Sequence, residues 1–156
     1  GRRAPNRLKL LREWVQRGGG LMMAGGYLSF QGFEAKANYF DTPIEEILPV
    51  TLLPYDDRVE APEGAEGAVT DVEHPVTAGL DREWPAILGY QKLAARDDAT
   101  VLAEVEGRPL LVVREVGKGR TLAYASDISP HWAPQEFMDW AGYGKLFGQA
   151  VEWLAG

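Results

Sequence analysis

Apolar residues recur at helical spacing at Leu8, Leu11 and Val15, and Leu10 and Trp14 widen the stripe into a core-facing surface. The spacing predicts a helix over residues 7–17. Pro5 suits its first turn, and Gly18-Gly19-Gly20 stops it, because glycine takes the left-handed conformation of a helix end at little cost. Residues 21–24 follow as an apolar run without alternation, the pattern of a parallel strand buried on both faces. Thr42, Pro43 and Glu45 make a capping box for a short helix through Ile44, Ile47 and Leu48, which Pro49 ends. Residues 50–53 read as a strand. Residues 55–73 are acidic, rich in Gly, Pro and Ala, and aperiodic, which predicts mostly surface loop with Asp56, Asp57, Glu60, Glu63 and Glu66 facing solvent.

Three β-rich runs, 101–105, 110–113 and 121–125, are separated by Glu106-Gly107 and Gly117-Lys118-Gly119, a meander of hairpins. Pro134 then opens a closing helix whose early turns carry Glu136 and Asp139, favourable at the positive dipole end, with Trp140, Phe147, Val151 and Leu154 on its core side. The 156 residues fit one domain, with no internal repeat.

Apolar residues make up 46% and charged residues 25%, the balance of a globular chain. Sixteen basic against 23 acidic side chains leave a net charge of −7, which argues against a nucleic-acid partner. No apolar run approaches the roughly 18 to 20 residues that span a bilayer, and Gly1-Arg2-Arg3 is not followed by the apolar core of a leader, so neither membrane insertion nor secretion is expected. The absence of cysteine excludes disulfides and thiolate metal sites and fits a reducing compartment, so cytoplasm is the expected location. With two histidines no zinc site is expected, the acidic stretch lacks calcium-loop spacing, and no cofactor is implied. Gly117-Lys118-Gly119 lacks the longer phosphate-loop frame and reads as a turn.

The run Gly18-Gly19-Gly20-Leu21-Met22-Met23-Ala24-Gly25-Gly26-Tyr27-Leu28-Ser29-Phe30-Gln31-Gly32-Phe33 resembles the signature of the putative glutamine amidotransferase family, within the class I glutamine amidotransferase-like superfamily. Residues 41–50, His74-Pro75-Val76, Gly117-Lys118-Gly119-Arg120 and residues 126–134 resemble the family in the same order, so the resemblance covers nearly the whole chain. It implies an α/β domain, flavodoxin-like and three-layered, with a mainly parallel sheet and a C-terminal antiparallel β-meander. Relatives carry an N-terminal segment holding the first strands, so the chain is expected to lack them and to leave a sheet edge open. The superfamily also includes proteins similar to the trehalose-utilisation group.

Ligands of open α/β sheets bind beyond the carboxyl ends of the strands, which directs attention to the loop after Ala24. Gly26, Tyr27, Leu28, Ser29 and Gln31 there, with Trp132, are the candidate ligand-binding residues. The resemblance implies a strand-to-helix elbow with Tyr27 where active members place the nucleophilic cysteine. A phenol of pKa about 10 is a poor replacement for a thiolate, and Ser29 lies outside a Gly-x-Ser-x-Gly frame, so cysteine-dependent glutaminase activity is excluded. His131, on a loop similar in placement to the family's histidine-bearing loop, is the candidate base or ligand-orienting group, with Asp127 as its hydrogen-bonding partner. His74 reads as structural. Trp14, Trp140 and Trp153 read as core, and Trp84 and Trp132 as pocket walls.

The plainer alternative is that the glycines permit close packing while Tyr27 and Phe30 wall a core. Three functions stay open: a module that binds a small polar molecule, a non-thiol hydrolase using His131, and an assembly subunit. In the third, the open edge pairs with a second copy or with a chain supplying the missing strands.

Overall fold

Asn6 opens α1 (Arg7–Gln16) by accepting hydrogen bonds from the Leu8 and Lys9 amides, donors that a helix start leaves free. The computed structural model describes residues 5–156, so the Gly1-Arg2-Arg3 start read above lies outside the described residues. After α1 come β1 (Gly20–Ala24), a 3-10 turn (Phe33–Ala35) and α2 (Pro43–Ile47), capped by Thr42 as its sequence requires. The strands β2 (Val50–Thr51), β3 (Arg58–Ala65), β4 (Gly67–Val69), β5 (Ile87–Gln91), β6 (Ala94–Ala95), β7 (Thr100–Val105), β8 (Arg108–Val116) and β9 (Gly119–Tyr124) precede α3 (Gln135–Asp139) and α4 (Ala141–Ala155).

The expected flavodoxin-like, mainly parallel sheet is not what forms. The main sheet is mixed, in the order β1-β9-β8-β7-β4, and among the described residues only β1 and β9 pair in parallel. β2 with β6 and β3 with β5 make two further antiparallel pairs. Connection length explains the difference. The two-residue turns Glu106-Gly107 and Gly117-Lys118 can join only antiparallel neighbours, whereas a parallel pair needs a crossover of a dozen or more residues.

Both faces of the sheet centre are covered, so residues 110–113 of β8 and 121–124 of β9 are buried. On one face Thr121 Oγ1 donates to the Ile47 carbonyl of α2 at 2.7 Å. On the other the Tyr124 ring meets Phe147 of α4 edge-on, with centroids 5.3 Å apart. The Tyr124 hydroxyl is fully buried without a hydrogen-bond partner, and burial pushes its pKa up. Ser126, close by in sequence, donates to the Gly89 carbonyl instead. Tyr124→Phe removes an unsatisfied group at almost no change in shape. It is expected to stabilise by about 1 kcal/mol, or roughly 2 to 4 °C in Tm for a chain of this size. A loss of similar size in a thermal melt would show that the hydroxyl is satisfied.

Other expectations are corrected by packing. Of the α1 stripe only Val15 is buried, while Leu10 and Leu11 are exposed and Trp14 is 49% exposed, because α1 packs chiefly against α2 and β9 and not along its whole stripe. The closing helix is two helices, since Trp140 is extended (ψ 133°) and its indole donates to Asp81 Oδ2 at 2.9 Å. Val151 stands 62% exposed on α4 instead of facing the core, and Trp84 is buried core. Residues 55–73 are not mostly loop but hold β3 and β4, and the strand expected over 50–53 is only Val50–Thr51. β3 was hidden because its strand is broken in pattern by Pro62 and Gly64, which a register shift between Glu60 and Ala65 in its pairing with β5 accommodates. No helix of the described residues is long and apolar enough to cross a membrane.

Candidate functional site

Because β1 and β9 run parallel, the loops leaving their carboxyl ends, residues 25–32 and 126–134, emerge side by side. The Tyr27 ring lies edge-on against His131, centroids 4.0 Å apart, and against Trp132 at 5.8 Å. Between the loops reaches Glu60 of β3. Its Oε1 accepts from the Tyr27 hydroxyl at 2.7 Å and its Oε2 from Trp132 Nε1 at 3.1 Å. The hydrogen bond to Glu60 raises the Tyr27 pKa above that of an ordinary phenol, with desolvation and the Glu60 charge acting the same way. Tyr27 therefore stays protonated at neutral pH, which suits a donor and not a nucleophile.

Arg58, two residues from Glu60 and so on the same face of the strand, places its guanidinium 4.4 Å from the Tyr27 ring and 4.7 Å from the Phe33 ring. The two rings are nearly parallel and 6.3 Å apart, with the cation against both. Asp56 fixes the guanidinium through Nε at 2.9 Å and Nη2 at 2.8 Å, and Arg58 in return holds the Asp56 carboxyl well below the usual carboxylate range.

Two buried polar side chains shape the loop from beneath. Gln91 accepts from the Gly26 amide at 3.2 Å and donates to the Gly26 carbonyl. Asp57, fully buried, accepts from the Gln31 amide at 3.1 Å and the Gly32 amide at 2.9 Å. Burial pushes the Asp57 pKa up and those amides pull against it, leaving it raised. The Phe33 amide closes the loop onto the Tyr27 carbonyl at 2.7 Å. Within the two loops, residues 25–32 and 126–134, the non-glycine residues at positive φ are Phe30 at 51° and His131 at 153°.

Of the residues singled out in sequence, Tyr27, His131 and Trp132 come together. Gly26 is buried, and a Cβ there would sit 3.4 Å from Asp127 Oδ2. Asp127 Oδ1 accepts from the amide and hydroxyl of Ser129, so these hydrogen bonds orient its own loop. Ser29 donates to the Ala24 carbonyl, Gln31 is buried with Oε1 on the Phe40 amide, and Leu28 stands at the tip, 72% exposed. No helix follows the bend, which passes through turns into the 3-10 segment, so the expected strand-to-helix elbow is absent.

Arg58, Glu60, Asp57 and Gln91 were missed. The i, i+2 spacing of Arg58 and Glu60 was the available signal, readable only once 58–65 is taken as a strand. The acidic stretch is accordingly not uniformly solvent-facing. His74 is held in its turn, with Nδ1 accepting from the Val76 amide at 3.2 Å and its ring 5.2 Å from Trp153, and burial lowers its pKa. Among the described residues no group of three or more His, Asp and Glu is placed to hold a metal ion.

The family model described as putative glutamine amidotransferase matches residues 1–156. A cytoplasmic protein from Salmonella typhimurium is 46% identical with a TM-score of 0.94, covering 98% of this chain and 62% of its own. A second, from Salmonella typhimurium LT2, is 47% identical with a TM-score of 0.93, covering 96% and 61%. The chain thus spans about three fifths of the length of these two relatives. A thua-like protein from Parabacteroides merdae, 17% identical with a TM-score of 0.66 over 99% of this chain and 67% of its own, shares the fold. No curated protein matches the chain.

Proposed function

This chain belongs to the putative glutamine amidotransferase family, and from that premise we propose that it binds a small polar molecule at the Tyr27 loop without cysteine-dependent hydrolysis of glutamine. The observation that carries the reading is the Glu60 carboxylate, fixed by Tyr27 and Trp132 and flanked by the exposed His131. A carboxylate oxygen can accept more than one hydrogen bond, so acceptor capacity remains for hydroxyl or amine donors on a ligand. Tyr27 and His131 offer ring surface beside it, while the buried Trp132 holds the carboxylate through its indole N–H. The strain at His131 supports the same reading, because a non-glycine residue held at positive φ costs about 1 to 3 kcal/mol. A chain keeps such a cost most readily where the side chain is used.

A hydrolase built on His131 has less support. Tyr27 is held protonated, and the Asp127 hydrogen bonds run to Ser129. The test is a thermal-shift panel of free amino acids, mono- and disaccharides and nucleosides, run on the wild type and on Glu60→Gln. At least one compound is expected to raise the melting temperature, by about 2.7 kcal/mol of added stability at a hundredfold excess over Kd. Glu60→Gln should weaken that compound at least tenfold. A panel without any stabiliser, or ammonia release from glutamine, would overturn the reading.

A further inference from the structure

Arg58 and Glu60 stand side by side on β3, and the groups that hold them leave one gap between the two charges. Asp56 takes Nε and Nη2 of the guanidinium at 2.9 and 2.8 Å, and the Tyr27 and Phe33 rings lie against it. Nη1 has no hydrogen-bond partner among the described residues. It lies 3.6 Å from Glu60 Oε1, an ion-pair distance that is too long for a hydrogen bond. Arg58 cannot turn to close the gap without giving up Asp56. Oε1 accepts from the Tyr27 hydroxyl, and a carboxylate oxygen has room for a second donor.

The width of the gap restricts what can fill it. An oxygen at ordinary hydrogen-bonding distance from both atoms, about 2.7 to 2.9 Å, completes a triangle on that base. It must accept from Nη1 and donate to Oε1, and a hydroxyl does both through one atom. An ammonium group donates to Glu60 but has no lone pair for Nη1 and sets a positive charge against the guanidinium. A carboxylate or phosphate oxygen accepts from Nη1 but meets Oε1 charge against charge. The surroundings do not rescue an anion, because Arg58 is flanked by two carboxylates and Lys36, beside Phe33, is paired with Glu34 at 2.6 Å. Glu60 Oε2, which accepts from Trp132, has room for a second hydroxyl.

We propose that the ligand of this site is a neutral polyol, one hydroxyl bridging Arg58 Nη1 and Glu60 Oε1 and a second on Oε2, with its carbon skeleton against Tyr27 and His131. This rests on the small-molecule reading above and narrows it. Arg58 is the residue that sets the preference for neutral over charged compounds, a discrimination achieved by repulsion as much as by attraction.

Isothermal titration calorimetry at pH 7 tests it with inositol, glucose, galactose and mannose, the amino sugars and uronic acids of the same skeletons, and glutamine, lysine and glutamate. The tightest compound is expected to be one of the neutral polyols. Derivatives of that compound with one hydroxyl replaced by an amine, taken position by position, should include one that binds weaker by about tenfold or more. In Arg58→Gln the neutral compound should weaken while that amine derivative loses its disadvantage, a change that mere loosening of the loop would not produce. An amine, an acid or glutamine as the tightest compound would overturn the proposal and leave the small-molecule reading standing. So would a polyol for which no position penalises the amine, or a penalty unchanged in Arg58→Gln. Binding of none of these compounds would remove this proposal, and the small-molecule reading too if the wider thermal-shift panel is also silent. If Arg58→Gln does not fold, the wild-type ranking decides.

Discussion

Asp57→Ala is expected to cost about 3 kcal/mol, because two buried amides, of Gln31 and Gly32, lose their common acceptor. In a chain of this size that is a fall of roughly 6 to 12 °C in Tm. The carboxylate is fully buried and its pKa is raised by desolvation, so part of the loss is offset when an ionised group no longer has to be buried. Asp57→Asn retains one acceptor oxygen and should cost about half as much. The effect should also reach the site. Gln31 and Gly32 end the bend that carries Tyr27, and the Phe33 amide ties that bend back to the Tyr27 carbonyl. Ligand affinity should therefore fall along with stability. A urea titration showing less than about 1 kcal/mol lost would mean that the amides find water when Asp57 is removed.

Gly89→Ala is expected to act on the site from behind. A Cβ at Gly89 would fall 2.2 Å from Trp132 Nε1 and 2.4 Å from its Cε2, closer than any real contact. The indole is buried and must shift, which separates Nε1 from Glu60. Overpacking of this kind costs about 1 to 3 kcal/mol. The informative readout is the near-ultraviolet circular dichroism of the tryptophans, which should change together with a loss of ligand binding of tenfold or more. Gly148→Ala, where a Cβ on α4 meets open space, is the control and should leave both unchanged. Unchanged binding in Gly89→Ala would separate Trp132 from the site.

The local signals of the chain were legible where they were short-range. Thr42-Pro43 caps α2, and the Glu106-Gly107 and Gly117-Lys118 turns fold the three late strands into hairpins, because each depends on a few adjacent residues. The sheet type was not legible in this way. A buried parallel strand and a buried antiparallel one share the same apolar run, and the resemblance, taken as a guide to the sheet, weighted the reading toward parallel pairing. Of the site, the bend at Tyr27 and the loop at His131 were visible through glycine spacing and placement. The residues that hold them were not. Asp57 looked like one acid in an acidic surface run, and Gln91 drew no reading at all, since their partners lie 25 and 65 residues away. Pairings of that range leave no local period to read.

The five tryptophans give the most direct test of the binding site, because each indole N–H reports a different place in the fold. Trp132 donates to Glu60 in the site, Trp14 lines a groove along β1, and Trp153 packs against His74. In nitrogen-15 correlation spectra, the stabilising ligand is expected to move the Trp132 indole signal while those of Trp14 and Trp153 stay in place. Saturable movement of Trp14 or Trp153 with Trp132 unmoved would contradict the account.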